Sequence, residues 1–551
     1  MNQFHIEHRP ARTRSRVSGP HSTRLPCLYI HVVALALIAT AAGLTVVHAQ
    51  SDPPVLETDC AGSNCGALPS AYKGKGVGVW AYSNDQSQPQ TLSIDIDGLR
   101  NNEVTIVLSN PGNQTAKFAG DLARRREPTA AAGPALSFPE TPVEDYPLAS
   151  SSEKHTWKVP QLADSDSASA RQTPSTLRAQ ATIRGFRYRI WVADEQWTPH
   201  MQKQLPKVAT LLFGSKRLPG LLQEYASDFR FKPWGAYPHV AKNAGQIPAT
   251  VKDINFVIAP NGAGNAQFFD SSQTGSGAQS NRALVLFVGS DALTCKDMPI
   301  GMCGNMNQEF FAFALSDNLL HELTHLIDHY QRHIKPEKSQ VFDRWLKEAV
   351  ASSHGFVVAS TRFPRIDPRL TEIAGWFGGN YGCPLVSAEG EDGTPVSDQC
   401  SQNYYSSGQA FLLYLVHLYG TGFYQKLELA PGTGVDAVDA AIRASGGTGF
   451  KEDFRRWGGT LALLPVDALD GYGYPGVRVG TRKAPPIDTT VFAAVRRLPP
   501  ASGIAPLAPY SHSLIVDAEQ SGRYKRTVIV PPQTSVTVLV KESEPPARTT
   551  G

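Results

Sequence analysis

HELTHLIDHY, residues 321–330, carries two histidines and a glutamate in the spacing H-E-x-x-H. Leu319, Leu320, Leu323, Leu326, Ile327 and Tyr330 recur around it at helical spacing, which predicts an amphipathic helix. Ser316, Asp317 and Asn318 supply N-cap chemistry just ahead of it, and the apolar run QEFFAFAL (308–315) reads as a preceding strand. On a helix, residues i and i+4 share a face, so the imidazoles of His321 and His325 can point at one metal ion. Glu322 stands beside them, close enough to take a proton from a metal-bound water. Zinc lowers the pKa of such a water to about 7, which yields a nucleophile at neutral pH. With 15 histidines in 551 residues, the pattern is expected by chance only about 0.02 times. Asp328, three residues beyond His325, is placed to orient an imidazole from behind.

A zinc site needs a third protein ligand. At about 1.5 Å rise per residue, His329 lies roughly 6 Å beyond His325, too far to share its metal, and His333 lies further still. A metzincin site would need glycine at 328 and histidine at 331, where this chain has Asp328 and Gln331. FDRWLKEAVASSHG (342–355) predicts a following helix whose apolar stripe is Phe342, Trp345, Leu346, Ala349 and Val350. Glu348 falls within that stripe and away from the charged face of Asp343, Arg344 and Lys347. A carboxylate turned inward needs a partner, and a metal is one; a buried ion pair or a surface position is the alternative.

HELTH followed by W-L-x-E-A resembles the gluzincin metallopeptidases. Together with YYSSGQAFLLYLVHLYG (404–420) and FKEDFRRWG (450–458), the pattern is most similar to the hyicolysin family of bacterial secreted neutral zinc proteases, over roughly residues 185–465. The resemblance implies His321, His325 and Glu348 as ligands of Zn2+, and Glu322 as general base. The segment Y-x-x-G-x-A-x-L-x-Y-L resembles the one that supplies an oxyanion-binding tyrosine in the aminopeptidase branch, which maps that role to Tyr405. Tyr404, His354 and His417 are weaker candidates for the donor. Thermolysin-type relatives carry an aspartate four residues after the ligand glutamate, where this chain has Ser352. The G-x-M-E-N motif of the aminopeptidases is absent, which favours an endopeptidase acting on proteins or peptides. An exopeptidase and a catalytically weak adhesin on the same fold are the alternatives.

Outside this centre, the first 49 residues combine Arg9, Arg12, Arg14, Arg16 and Arg24 with the apolar run 28–47 and a Val-His-Ala end, the layout of a cleaved signal peptide. An uncleaved anchor is the alternative, since the run approaches membrane-spanning length. Cleavage removes five arginines and one glutamate, so the formal net charge moves from +3 to −1. A near-neutral mature chain gives no electrostatic reason to expect nucleic acid, and export leaves no membrane partner. Nothing in the sequence speaks to oligomeric state. Cys27 leaves with the signal; the remaining six fall into the local pairs Cys60/Cys65, Cys295/Cys303 and Cys383/Cys400, and export favours disulfides.

Strand-like alternation in VGVWAYS, QTLSIDIDG and NEVTIVLSN predicts an N-terminal β-rich domain over 50–160. The Ser-rich stretch 161–180 reads as a linker. Strands come first and helices second over 181–483, which predicts an α+β, zincin-like catalytic domain, and 484–551 reads as a C-terminal β-rich region.

Overall fold

The alternating segments near the two ends of the chain pair with each other. In the computed structural model, which describes residues 53–126, 145–149, 153–160, 170–216, 218–228, 253–260, 267–269, 281, 283–290, 293, 307–329, 331–332, 340–386, 400, 404–466 and 468–542, runs of strands and runs of helices follow one another in a mixed α+β fold. In chain order the longer strands are β1 (Gly78–Ser83), β2 (Gln90–Asn110), β3 (Lys154–Pro160), β4 (Ala170–Ile183), β5 (Phe186–Ala193), β6 (Asp253–Ala259), β7 (Gln267–Phe269), β8 (Leu284–Gly289), β9 (Ser511–Val530) and β10 (Ser535–Glu542). The helices that matter for the site are α1 (Pro199–Phe213), α2 (Leu221–Asp228), α3 (Glu309–His329), α4 (Arg344–Ser360) and α5 (Gln409–Tyr419).

The first sheet is built on β2, which pairs antiparallel with β9 on one side and β10 on the other, while β10 also pairs with β1. Ile106 thus lies opposite both Ile515 and Val538, and Val538 opposite Trp80, so the buried rows of four strands stay in register. The N-terminal and C-terminal β-rich regions, which the sequence presents separately, share this one sheet. Periodicity shows that a segment is a strand but not which edge it seeks, and strand pairing takes no account of chain separation.

The second sheet has the order β7-β8-β6-β5-β4-β3, with β6 parallel to both β5 and β8. Every residue of β8, and all but the first of β6, is buried, as befits parallel strands covered on both faces. One face, with Ile190, Phe256, Ile258 and Val288, joins the main core; the other, with Trp157, Trp191, Val257 and Phe287, forms a second core. The stretch read as a linker over 161–180 is β4 from Ala170 onward. Its inward positions include Thr173 and Ser175, so hydropathy hid the alternation that burial reveals.

A second difference concerns QEFFAFAL. It is the first part of α3, which starts at Glu309, so Ser316–Asn318 lie inside the helix and Ser316 Oγ donates to the Ala312 carbonyl at 2.6 Å. Leu315 and Leu319 share one core with Ile190, Phe256, Ile258 and Val288 of the second sheet and line a small apolar cavity with them. A short apolar run cannot distinguish strand from buried helix, and here packing on the sheet face decides it. Disulfides join Cys60 to Cys65 and Cys383 to Cys400, with Cα atoms 5.4 and 5.6 Å apart. The segment 1–49, positions 161–169, the Cys295/Cys303 pair and His333 lie outside the described residues. No described helix is long and apolar enough to cross a membrane.

His512 on β9 joins the first sheet to the helices. Its ring stacks on Phe454 with centroids 4.2 Å apart and meets Trp457 at 5.1 Å, and its Nδ1 lies 2.9 Å from Ser109 Oγ. Burial pushes its pKa down to about 3. The unfolded chain therefore takes up a proton on this ring near its ordinary value while the folded chain does not, so the ring costs stability as pH falls below that value. Relative to a His512→Phe variant, wild-type stability should fall by about 1.4 kcal/mol for each pH unit below about 6. Denaturant titrations of both proteins across that range check it, and parallel curves would exclude it.

Candidate metal centre

Helices α3 and α4 cross at a glycine. A β-carbon on Gly355 would lie 2.6 Å from both the backbone oxygen and Oδ1 of Asp317, and 3.2 Å from the backbone nitrogen of His321. Only a residue without a side chain lets the two helices approach this closely beside His321. The far end of α3 is fixed independently. Arg332, just past the helix, is buried and donates from Nε to the Gln340 carbonyl at 2.7 Å, from Nη1 to Glu428 O at 2.8 Å and from Nη2 to Gly432 O at 2.6 Å. Its guanidinium also covers the ring of Phe342, 3.8 Å from the centroid, directly before α4.

This crossing brings three donor atoms to one point. His325 Nε2 lies 3.0 Å from His321 Nε2 and 3.1 Å from Glu348 Oε2, and His321 Nε2 lies 3.3 Å from that same oxygen. Zinc bonds of about 2.0–2.1 Å at tetrahedral angles have edges of about 3.3–3.4 Å, so the triangle fits one face of such a site. Two imidazole nitrogens facing each other repel unless a proton or a cation lies between them, and the carboxylate at the third corner favours the cation. Among the described residues this is the one cluster of three or more histidine, cysteine, aspartate or glutamate side chains that could hold a metal.

The electrostatics suit that use. Burial pushes His325 down to about 4, so its ring is neutral with a lone pair to offer. Burial would raise Glu348, but His325 and His321 hold its carboxylate well below the usual range. Burial also opposes a charge on His321, yet Glu348, Glu322 and Asp317 raise its pKa. Glu322 is pushed up to about 7 by burial, as is Asp317; burial also raises Glu372. Asp317 and Glu372 both act on His321, and no spacing pattern singles out either, since one lies mid-helix and the other in a distant turn.

Other expected positions fall out differently. Ser352 Oγ lies 3.2 Å from His321 Nδ1, so the residue one helical turn after Glu348 faces a histidine of the trio. Asp328, expected behind an imidazole, instead faces Glu428, with Lys347 and Arg332 nearby; burial and the Glu428 carboxylate raise its pKa well above normal. His329 is half-buried and outside the trio. His354 is stacked between Tyr225 and Tyr424, at 4.4 and 4.6 Å, and His417 Nδ1 is bonded to the Pro475 carbonyl, so both belong to the core. Tyr404 and Tyr405 begin a π-helical turn, Tyr404–Gly408, that leads into α5, and Tyr405 is partly buried against the core. That turn packs on α4: a β-carbon at Gly408 would meet the Ala349 side chain at 2.8 Å, next to Glu348.

An α+β chain that turns two imidazoles and a carboxylate onto one point has, by class, the donor set of a metal-binding protein. The chain belongs to the Peptidase M30 family, matching it over residues 244–541, a span that includes all three donors, and it is thus a metallopeptidase. Residues 60–119 match a Domain of unknown function (DUF8571). No curated protein matches the chain. Among solved structures, an aminopeptidase N family protein from Idiomarina loihiensis aligns over 69% of this chain and 71% of its own, at 9% identity and a TM-score of 0.30, a likeness too slight to argue from.

Gly355→Ala should lower stability by about 1–3 kcal/mol through overpacking and reduce bound metal, because the new methyl group pushes α4 away from His321. Thermal unfolding and metal content of the purified variant check this; wild-type values for both would refute the crossing as the constraint.

Proposed function

We propose that the chain is an exported zinc endopeptidase of the gluzincin type on a zincin-like fold, with His321, His325 and Glu348 as ligands and Glu322 as general base. The observation that carries this reading is the convergence of two Nε2 atoms and one carboxylate oxygen at 3.0–3.3 Å, on helices whose sequence also sets a glutamate beside the first histidine. A zinc ion held there would polarise the scissile carbonyl and lower the pKa of the attacking water to about 7. His321, His325 and Glu348 would hold the ion. Glu322 accepts the proton of the attacking water and returns it to the leaving amine. Tyr405 donates to the oxyanion; its place on the turn packed beside Glu348 supports this role. The layout of residues 1–49 and the disulfides Cys60–Cys65 and Cys383–Cys400 support export.

Casein hydrolysis tests the mechanism. Chelation should abolish activity and added zinc restore it, while Glu322→Gln should lower kcat by about 10²–10⁴-fold with zinc retained. Full activity in either case would overturn the reading. Tyr405→Phe should lower kcat by about 10²–10³-fold with little change in KM, as expected for a lost oxyanion donor. A quenched peptide blocked at both ends should be cleaved; cleavage only of peptides with a free amino terminus would make the enzyme an exopeptidase.

A further inference from the structure

We infer that Ser352 is a positioning residue that fixes the tautomer of His321 and thereby sets how tightly the centre holds its metal. This rests on the metal-site reading above. Ser352 stands one helical turn beyond Glu348 on α4, so both side chains face α3. Its Oγ lies 3.2 Å from His321 Nδ1, on the side of the ring opposite the Nε2 atom that points at His325 and Glu348. A neutral imidazole has one N–H. If Nδ1 carries it and donates to the serine hydroxyl, Nε2 keeps its lone pair for the ion. The reverse tautomer would aim a hydrogen at the point where the three donor atoms meet.

The serine is itself held in place. It is 5% exposed, and its carbonyl accepts from Gln409 Nε2 at 3.1 Å, from the first residue of α5. The route from His321 through Ser352 to Gln409 therefore connects the ligand helix to the end of the turn that bears Tyr405. A hydroxyl is a weaker acceptor than a carboxylate. The ring nitrogen facing the metal is correspondingly less basic than it would be with an acidic partner, so the metal is held less tightly.

Ser353 provides the internal control. It is also buried on α4, but its hydroxyl serves Val350 O at 3.1 Å and accepts from the Tyr424 hydroxyl at 2.9 Å. Zinc affinity of the full chain, measured by competition with a chromophoric chelator at neutral pH, separates the two serines. Ser352→Ala should weaken zinc binding by about 10–100-fold, Ser352→Asp should tighten it, and Ser353→Ala should leave it at the wild-type value even if thermal stability drops. Unchanged affinity in Ser352→Ala, or equal loss in Ser353→Ala, would overturn the proposal while leaving the metal site standing. Should the aspartate variant fail to fold, the two alanine variants still decide. A wild-type protein that binds no zinc would instead overturn the metal-site reading itself.

Discussion

The close crossing of α3 and α4 at Gly355 is the constraint on which the centre depends. His321 and His325 are one turn apart on a single helix and would face one way in any context. Glu348 reaches them only because α4 lies against α3 with no side chain between Gly355 and Asp317. The crossing is held from both ends, by Leu315 and Leu319 in the core they share with the second sheet and by the Arg332 guanidinium bridging to Gln340 and Phe342. Rigid elements fixed in this way can keep three donor atoms within a few tenths of an ångström of metal geometry, which loops rarely achieve.

The same crossing sets the electrostatics. Burial disfavours every charge in the centre, so the groups there are stable only through each other: Glu348 ionised between two imidazoles, His325 neutral, and Glu322 raised toward neutrality. Asp317 and Glu372 add negative potential around His321. A cation at the meeting point of the donors would relieve much of this tension, and that is the physical link between the fold and the metal chemistry of its family.

The supporting scaffold is organised by pairing between the chain's two ends. β2 has two edges, and both are filled by strands more than 400 residues later in sequence. The sheet then meets the helical part through His512, packed among Phe454, Trp457 and Trp376. The π-turn before α5 is pressed onto α4 through Gly408 and Ala349.

Local patterns were legible where one segment carried all the information. The spacing of HELTH, the inward phase of Glu348 and the buried stripe from Phe342 to Val350 all follow from the 3.6-residue period of one helix. What those patterns left open needed a second segment. QEFFAFAL became helix because a sheet face lay beneath it; 170–183 became strand although its inward positions are polar. Ser352 met His321, and Asp328 met Glu428, through contacts made by separate helices. The sequence by itself determined which side chains share a helix face, because that is fixed by the geometry of one turn. Only the tertiary structure decided which faces meet, because that depends on how closely two backbones can pack, and here on a glycine that no periodicity singles out.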